Sequence, residues 1–223
     1  MGHNRPSKPG DWTYRCGQMI RHVLFDADGV VQDMPVTWYE AMEPYVGERA
    51  REFLHETWRD ELPMLAGEGD YFPVLAKTLA DYGVETAAED VYASVWLSLD
   101  VDAGSVALIG ALRSAGYGVH LGTNQEKRRA AHMRTALGYD DLFDVSCYSC
   151  DLGIAKPDPE FFKRATTLIN AAPSEVLFID DSLRNVQGAQ TAGLQAEQWQ
   201  IGDGHDSLRA LLRAHGVGLP DPR

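Results

Sequence analysis

The second half of the chain alternates short apolar runs with segments whose apolar residues recur every three or four positions. Residues 118–124, GVHLGTN, read as a strand after glycine-rich punctuation. KRRAAHMRTALGY follows with helical character and a glycine stop. DVSCYS suits a further strand. DPEFFKRATTLINA opens with Pro159 near its first turn and carries Phe161, Phe162, Ala165, Leu168 and Ile169 at helical spacing. SEVLFIDD is an apolar run ending in Asp180 and Asp181, and SLRNVQGAQTAG is a helix with Ser182 as N-cap and Gly193 as its stop. LQAEQWQ supplies a last strand and DSLRALLRAHG a last helix capped by Asp206. Repeated strand–helix units predict a parallel sheet with helices on both faces.

The stretch from about Pro35 to Leu99 follows a different rule. VTWYEAMEPYVG, ERAREFLHETWRDELPML, YFPVLAKTLADYG and AAEDVYASVWLSL are helix-like, with no run of buried strands among them. Trp38, Tyr39, Trp58, Tyr71, Phe72 and Trp96 read as packing residues between these helices. Arg49, Arg51, His55 and Arg59 read as a solvated face paired with Glu48, Glu52 and Glu56. The predicted organisation is a tail over 1–18, a three-layer α/β core with a Rossmann-like parallel sheet over 19–34 and 101–223, and an all-helical cap inserted over 35–100.

Composition narrows the function classes. The 223 residues are 44% hydrophobic and 24% charged, with a formal net charge of -13. That sign of field repels nucleic acid and anionic membrane, and an anionic substrate would need a local cation. No apolar run approaches the roughly 20 residues of a membrane span. The first sixteen residues contain no apolar signal-peptide core. Three cysteines, an odd and small number, fit a reducing cytoplasm better than a disulfide framework. Cys147 and Cys150 form a lone CxxC without two further zinc ligands at matching spacing, and read as reduced thiols.

The candidate chemistry lies where strands end. In an open parallel sheet, ligands sit beyond the carboxyl ends of the strands. Asp26 and Asp28 follow VLF in RHVLFDADGVVQD, Thr123 and Asn124 follow VHLG, Asp180 and Asp181 follow VLFI, and Lys156-Pro157 lies in the loop before a helix. Gathered carboxylates repel one another unless a cation neutralises them. Hard oxygen donors point to Mg²⁺, and with Lys156 the ion makes a positive pocket suited to a phosphate dianion. An aspartate can attack phosphorus, and a second carboxylate two residues on can protonate the leaving oxygen and later activate water. The Thr123 hydroxyl and Asn124 amide can donate to phosphoryl oxygens.

FDADGV, LGTN, GIAKPDPEFF and FIDDSLRN resemble, in order, the four motifs of the haloacid dehalogenase-like hydrolases, in particular their phosphatases with a small helical cap. The resemblance implies Asp26 as nucleophile and Mg²⁺ ligand, and Asp28 as general acid/base with its main-chain carbonyl on the metal. It implies Thr123 and Asn124 as phosphoryl binders and Lys156 as the cation of the third motif. Asp181 would be a direct metal ligand and Asp180 a direct or water-mediated one, with Ser182 and Asn185 in support. The implied activity is Mg²⁺-dependent hydrolysis of a small phosphorylated metabolite through an aspartyl-phosphate, with the oligomeric state left open. A phosphomutase, a 2-haloacid dehalogenase and a non-catalytic binding protein are the alternatives on the same core. The acidic Asp28 speaks against the dehalogenase, since halide needs no acid.

Overall fold

The structure, a computed structural model, describes residues 19–219. The expected tail over 1–18, with Cys16, lies outside the described residues, as do positions 220–223. Strands β1 (His22–Phe25), β2 (Gln32–Asp33), β3 (Asp100–Val101), β4 (Gly118–Thr123), β5 (Val145–Tyr148), β6 (Val176–Asp180) and β7 (Gln195–Gln198) form two sheets. The larger has the order β5-β4-β1-β6-β7, and every pairing in it is parallel. β1 is central, so the loops after β1, β4 and β6 emerge side by side where the strand order reverses.

Alternation along the strands explains the layers. Val23 and Phe25 of β1 join Leu177 and Ile179 of β6 in one cluster of buried residues. Leu24 joins Val176 and Phe178 in the other. The first cluster is completed by α5 (Ala103–Ser114), α6 (Lys127–Thr135), α7 (Tyr139–Leu142) and α11 (His205–Ala214). The second is completed by α9 (Pro159–Ile169) and α10 (Leu183–Thr191), while α8 (Ser149–Leu152) follows β5 directly. A sheet buried on both faces needs apolar residues at both parities, which is why VLF and VLFI read as continuous runs.

Helices α1 (Trp38–Val46), α2 (Ala50–Leu65), α3 (Tyr71–Asp81) and α4 (Ala88–Val95) occupy the stretch between β2 and β3. They share a third core, with Met42, Phe53, Leu54, Leu75, Leu79, Val91 and Trp96 buried together. Thr37 and Glu40 form a capping box at the start of α1, and Asp70 caps α3 through the Phe72 N–H at 3.0 Å. β2 and β3 pair antiparallel, so the chain leaves and re-enters the α/β layer at one place.

Several local expectations need correction. Ser182 occupies the N-cap position of α10, but its side chain makes no capping bond. Its main-chain N–H instead donates to Asp180 Oδ1 at 2.8 Å. The last helix begins at His205 after Gly204, which leaves Asp206 inside the first turn and not at the cap. KRRAAHMRTALGY does form a helix, α6, and Gly138 at φ 69° is its stop before α7 begins. Arg49 and Arg51 lie over the Tyr82 and Tyr39 rings, 4.5 Å from each centroid, and Arg59 pairs with Asp60 in place of the expected glutamates. Helix α5 has no clear apolar period in the sequence, because Ala103, Gly104, Ala107, Gly110 and Ala111 dilute it. Cys147 and Cys150 are buried free thiols, which burial pushes up to about 12 and about 11, so neither is a thiolate near neutrality.

Gly67, just past α2, holds φ 82°, and a Cβ there would lie 2.3 Å from the Cys150 main-chain oxygen. This glycine lets the end of α2 approach α8. Gly67→Ala is therefore expected to lower unfolding free energy by roughly 1–3 kcal/mol, from left-handed strain plus a main-chain clash. Urea denaturation of the two proteins measures it.

Candidate active site

The carboxyl end of β1 continues one residue beyond the strand, where the Asp26 N–H bonds the Ile179 carbonyl at 2.9 Å. The chain then folds back on itself. The Ala27 carbonyl accepts from the N–H groups of Val30, Val31 and Gln32 at 3.1, 2.7 and 2.9 Å. Gly29 at φ 74° makes that turn, and a Cβ on it would stand 2.9 Å from Asp181 Oδ2. The Asp-Gly pair thus serves two ends, a left-handed turn and close approach to the β6 loop.

Lys156 sits at the centre. Its Nζ is 2.8 Å from Asp26 Oδ1 and 2.7 Å from Asp180 Oδ2, with the lysine side chain 1% exposed. The Ala27 N–H also donates to Asp26 Oδ1, at 2.7 Å. No described residue donates to Asp26 Oδ2. Asp180 is completely buried and further held by the Asn185 amide, 3.0 Å from Oδ1. Asp181, beside it, is exposed. Burial works against the charge of Lys156, but Asp180 and Asp26 outweigh it and hold the ammonium above its usual range.

One oxygen from each of Asp26, Asp180 and Asp181 lies within 4.8 Å of the others. Burial first, then the Asp180 charge, pushes Asp26 well above the usual carboxylate range, with Lys156 opposing. The same two causes push Asp181 up to about 6. Three carboxylates gathered this closely, with oxygen donors only, fit a hard divalent cation. The Asp28 carboxylate is not in this group; the expectation for it concerned its main-chain carbonyl.

Asp28 is held elsewhere. Arg129 of α6 grips it with both terminal nitrogens, Nη1 to Oδ2 and Nη2 to Oδ1, each at 2.8 Å. Gln32 Nε2 donates to Oδ1 at 2.9 Å and Gln125 Nε2 to Oδ2 at 2.8 Å. Burial alone would raise Asp28; the guanidinium overrides it and, with both amides, holds the carboxyl below its ordinary range.

Thr123 is buried at the end of β4, and its Oγ1 accepts from Gln125 Nε2 at 3.1 Å, which leaves the hydroxyl hydrogen free to donate. Asn124 differs from expectation. Its Nδ2 donates to the Lys156 carbonyl at 2.9 Å and its Oδ1 accepts the Lys156 N–H at 2.8 Å. Both amide atoms fasten the loop that delivers Lys156.

Sequence reasoning missed Arg129, Gln125 and Gln32. A signal existed: Glu126 caps α6 through the N–H groups of Arg128 and Arg129, at 2.8 and 2.7 Å. Gln125 and Arg129 then fall four apart on one face, directly after Thr123-Asn124. The start of α6 also meets the helical insertion. Arg129 Nε donates to the Trp96 carbonyl at 2.9 Å, and its guanidinium lies 5.5 Å from the Trp38 ring centroid. The Tyr92 hydroxyl bonds Glu126, and Arg128 pairs with Glu89 at 2.9 Å while covering Phe72.

The profile of haloacid dehalogenase-like hydrolases matches residues 20–193. The chain belongs to this family. Among the family's proteins, it is 25% identical to a phosphorylated carbohydrates phosphatase of Thermotoga maritima over 90% of this chain and 94% of that one. It is 28% identical to a sesquiterpene phosphatase of Aspergillus oryzae over 78% of this chain and 87% of that one. Its fold matches a family enzyme of Bacteroides thetaiotaomicron, solved in complex with magnesium and inorganic phosphate. That match has a TM-score of 0.72 and 22% identity, and it covers 85% of this chain and 98% of that one.

Arg129→Met removes the partner of a carboxylate whose folded value lies below its unfolded one. Stability from that pair is present above the unfolded carboxylate range and lost as pH falls through the folded value. The side chain of Asp28 is 43% exposed, so the expected loss at neutral pH is discounted to about 1–3 kcal/mol. It should shrink near pH 3. Denaturation curves at the two pH values test this.

Proposed function

We propose that the protein is a Mg²⁺-dependent phosphatase that hydrolyses a small organic phosphate monoester through an aspartyl-phosphate at Asp26. The carrying observation is Lys156 joined to Asp26 and Asp180 at 2.8 and 2.7 Å, with Asp181 within ligand distance of both carboxylates. The carboxylates of Asp26, Asp180 and Asp181 and the main-chain carbonyl of Asp28 would hold the metal. When bound, the ion neutralises phosphoryl charge and allows an anionic nucleophile to approach it. The magnesium and phosphate of the Bacteroides enzyme and the phosphatases among the relatives support the reading.

The roles follow from the contacts. Lys156 and the Ala27 N–H fix Asp26 through Oδ1, so the lone pairs of Oδ2 carry no donor. The Thr123 hydroxyl donates to a phosphoryl oxygen, and Asn124 keeps Lys156 in register. Asp28, held as the carboxylate, takes a proton from the water that attacks the acyl-phosphate. A phosphate dianion entering beside Asp28 raises its proton affinity, so the bound ester itself favours the acid form needed for departure of the alcohol. The helices of 35–100 act as a cap over the carboxyl edge of the core, 19–34 and 101–223, and exclude water from it. The setting is cytoplasmic; among the described residues, no helix is long and apolar enough to cross a membrane.

Phosphate release from a panel of phosphomonoesters, with Mg²⁺ and with EDTA, tests the proposal. Activity should vanish with the chelator. Asp26→Asn should lower kcat by about 10⁴-fold or more, and Asp28→Asn by about 10²–10⁴-fold. No release from any ester with Mg²⁺ present would sink the reading.

A further inference from the structure

Asp28 is held from two sides that belong to different parts of the molecule. On one side stands Arg129, whose guanidinium also reaches the insertion through the Trp96 carbonyl. On the other stands Gln32 of β2, which is completely buried. The main chain of Gln32 is tied to the turn after β1. Its N–H donates to the Ala27 carbonyl at 2.9 Å, and its carbonyl accepts the Gly29 N–H at 2.8 Å. Its side-chain Nε2 donates to Asp28 Oδ1 at 2.9 Å.

A carboxamide can present either end, one a donor and the other an acceptor. Here the end is chosen by a residue far away in the sequence. The Tyr139 hydroxyl donates to Gln32 Oε1 at 2.7 Å. With Oε1 engaged in this way, Nε2 faces Asp28. The reverse orientation would set a carbonyl oxygen against a carboxylate, without a donor between them. Tyr139 is completely buried at the start of α7, where the left-handed Gly138 turns the chain, and its ring stands edge-on to Phe143 with centroids 5.8 Å apart. The ring packs as any aromatic would, while the hydroxyl is spent on the glutamine that holds Asp28.

We propose that Tyr139, acting through Gln32, is a positioning residue for Asp28: it fixes the carboxyl from the core side, in the orientation from which a proton passes to the leaving oxygen. The assignment rests on the phosphatase reading above and on the role given there to Asp28. Gln32 and Tyr139 lie in β2 and α7, so this hold is independent of the helices of 35–100, whereas that of Arg129 is shared with them. Asp28 therefore keeps its orientation on the core side when the insertion shifts.

The test uses the full chain with Mg²⁺ and three esters of similar size, p-nitrophenyl, phenyl and benzyl phosphate, whose leaving oxygens need a proton in increasing degree. The quantity read is kcat/KM, which covers the steps up to departure of the alcohol. Tyr139→Phe keeps the ring and removes only the hydroxyl. It should lower kcat/KM by about 10-fold or more for benzyl phosphate and by no more than about threefold for p-nitrophenyl phosphate, with phenyl phosphate between them. Gln32→Met should show the same graded loss, and the double variant no more than Gln32→Met alone. Inhibition by inorganic phosphate should stay within about twofold of wild type, because Asp26, Lys156 and Thr123 are untouched. An equal loss on all three esters, or a matching loss of phosphate affinity, marks a merely structural role and overturns the assignment, as does an unchanged Tyr139→Phe. Additive losses in the double variant overturn the path through Gln32. Failure of wild type to release phosphate from any of the three esters instead defeats the phosphatase reading, and the positioning role with it.

Discussion

The carboxyl edge of the sheet depends on one buried ammonium. Two carboxylates with oxygens no more than 4.8 Å apart repel by at least about 3–4 kcal/mol at an effective dielectric near 20, whereas a cation at 2.7–2.8 Å from each attracts by about 6 kcal/mol per contact. Lys156 therefore opposes the crowding of Asp26 and Asp180 without returning Asp26 to the usual carboxylate range, and its ammonium makes its contacts with these two and not with Asp181. The site is left with an excess of negative charge directed at solvent on the side where Asp181 stands. If Asp26 is the nucleophile proposed above, its approach to a phosphate dianion needs a further positive charge, and the oxygen-only donor set defines the kind.

The second cation, Arg129, has a different task. It is not near the carboxylate cluster but binds Asp28 on one side and the insertion on the other, through the Trp96 carbonyl and the Trp38 ring. Around it, Arg128–Glu89 and Tyr92–Glu126 tie the same end of α6 to α3 and α4. Asp28, for which a proton-handling role is proposed, and the insertion thus share one anchor, so displacing the helices strips a partner from the guanidinium that holds Asp28.

What could be read from sequence divides along a physical line. Asp26, Asp28, Thr123, Asp180 and Asp181 were legible because a parallel strand delivers its next residues to one edge whatever the tertiary detail, and the apolar runs before them mark the strands. Lys156 was legible only in company with those motifs. Arg129 looked like one cation among several in KRRAAHMRT, because the direction of a helical side chain depends on how the helix is rotated against its neighbours. The tie of the Asn124 amide to the Lys156 main chain, which offers it both a donor and an acceptor, was not legible because it depends on how two distant loops meet. Ser182 stands at the cap position of α10, as its sequence position suggests, but its side chain makes no capping bond.

The bond from Arg129 to Trp96 ends on a main-chain oxygen. Any residue can present such an oxygen, so changes of side chain at position 96 leave that bond in place. A residue added to or removed from α4 would rotate the carbonyl away by about 100°. For this bond, the constrained quantity is the length of the helix and not the side chain at its end.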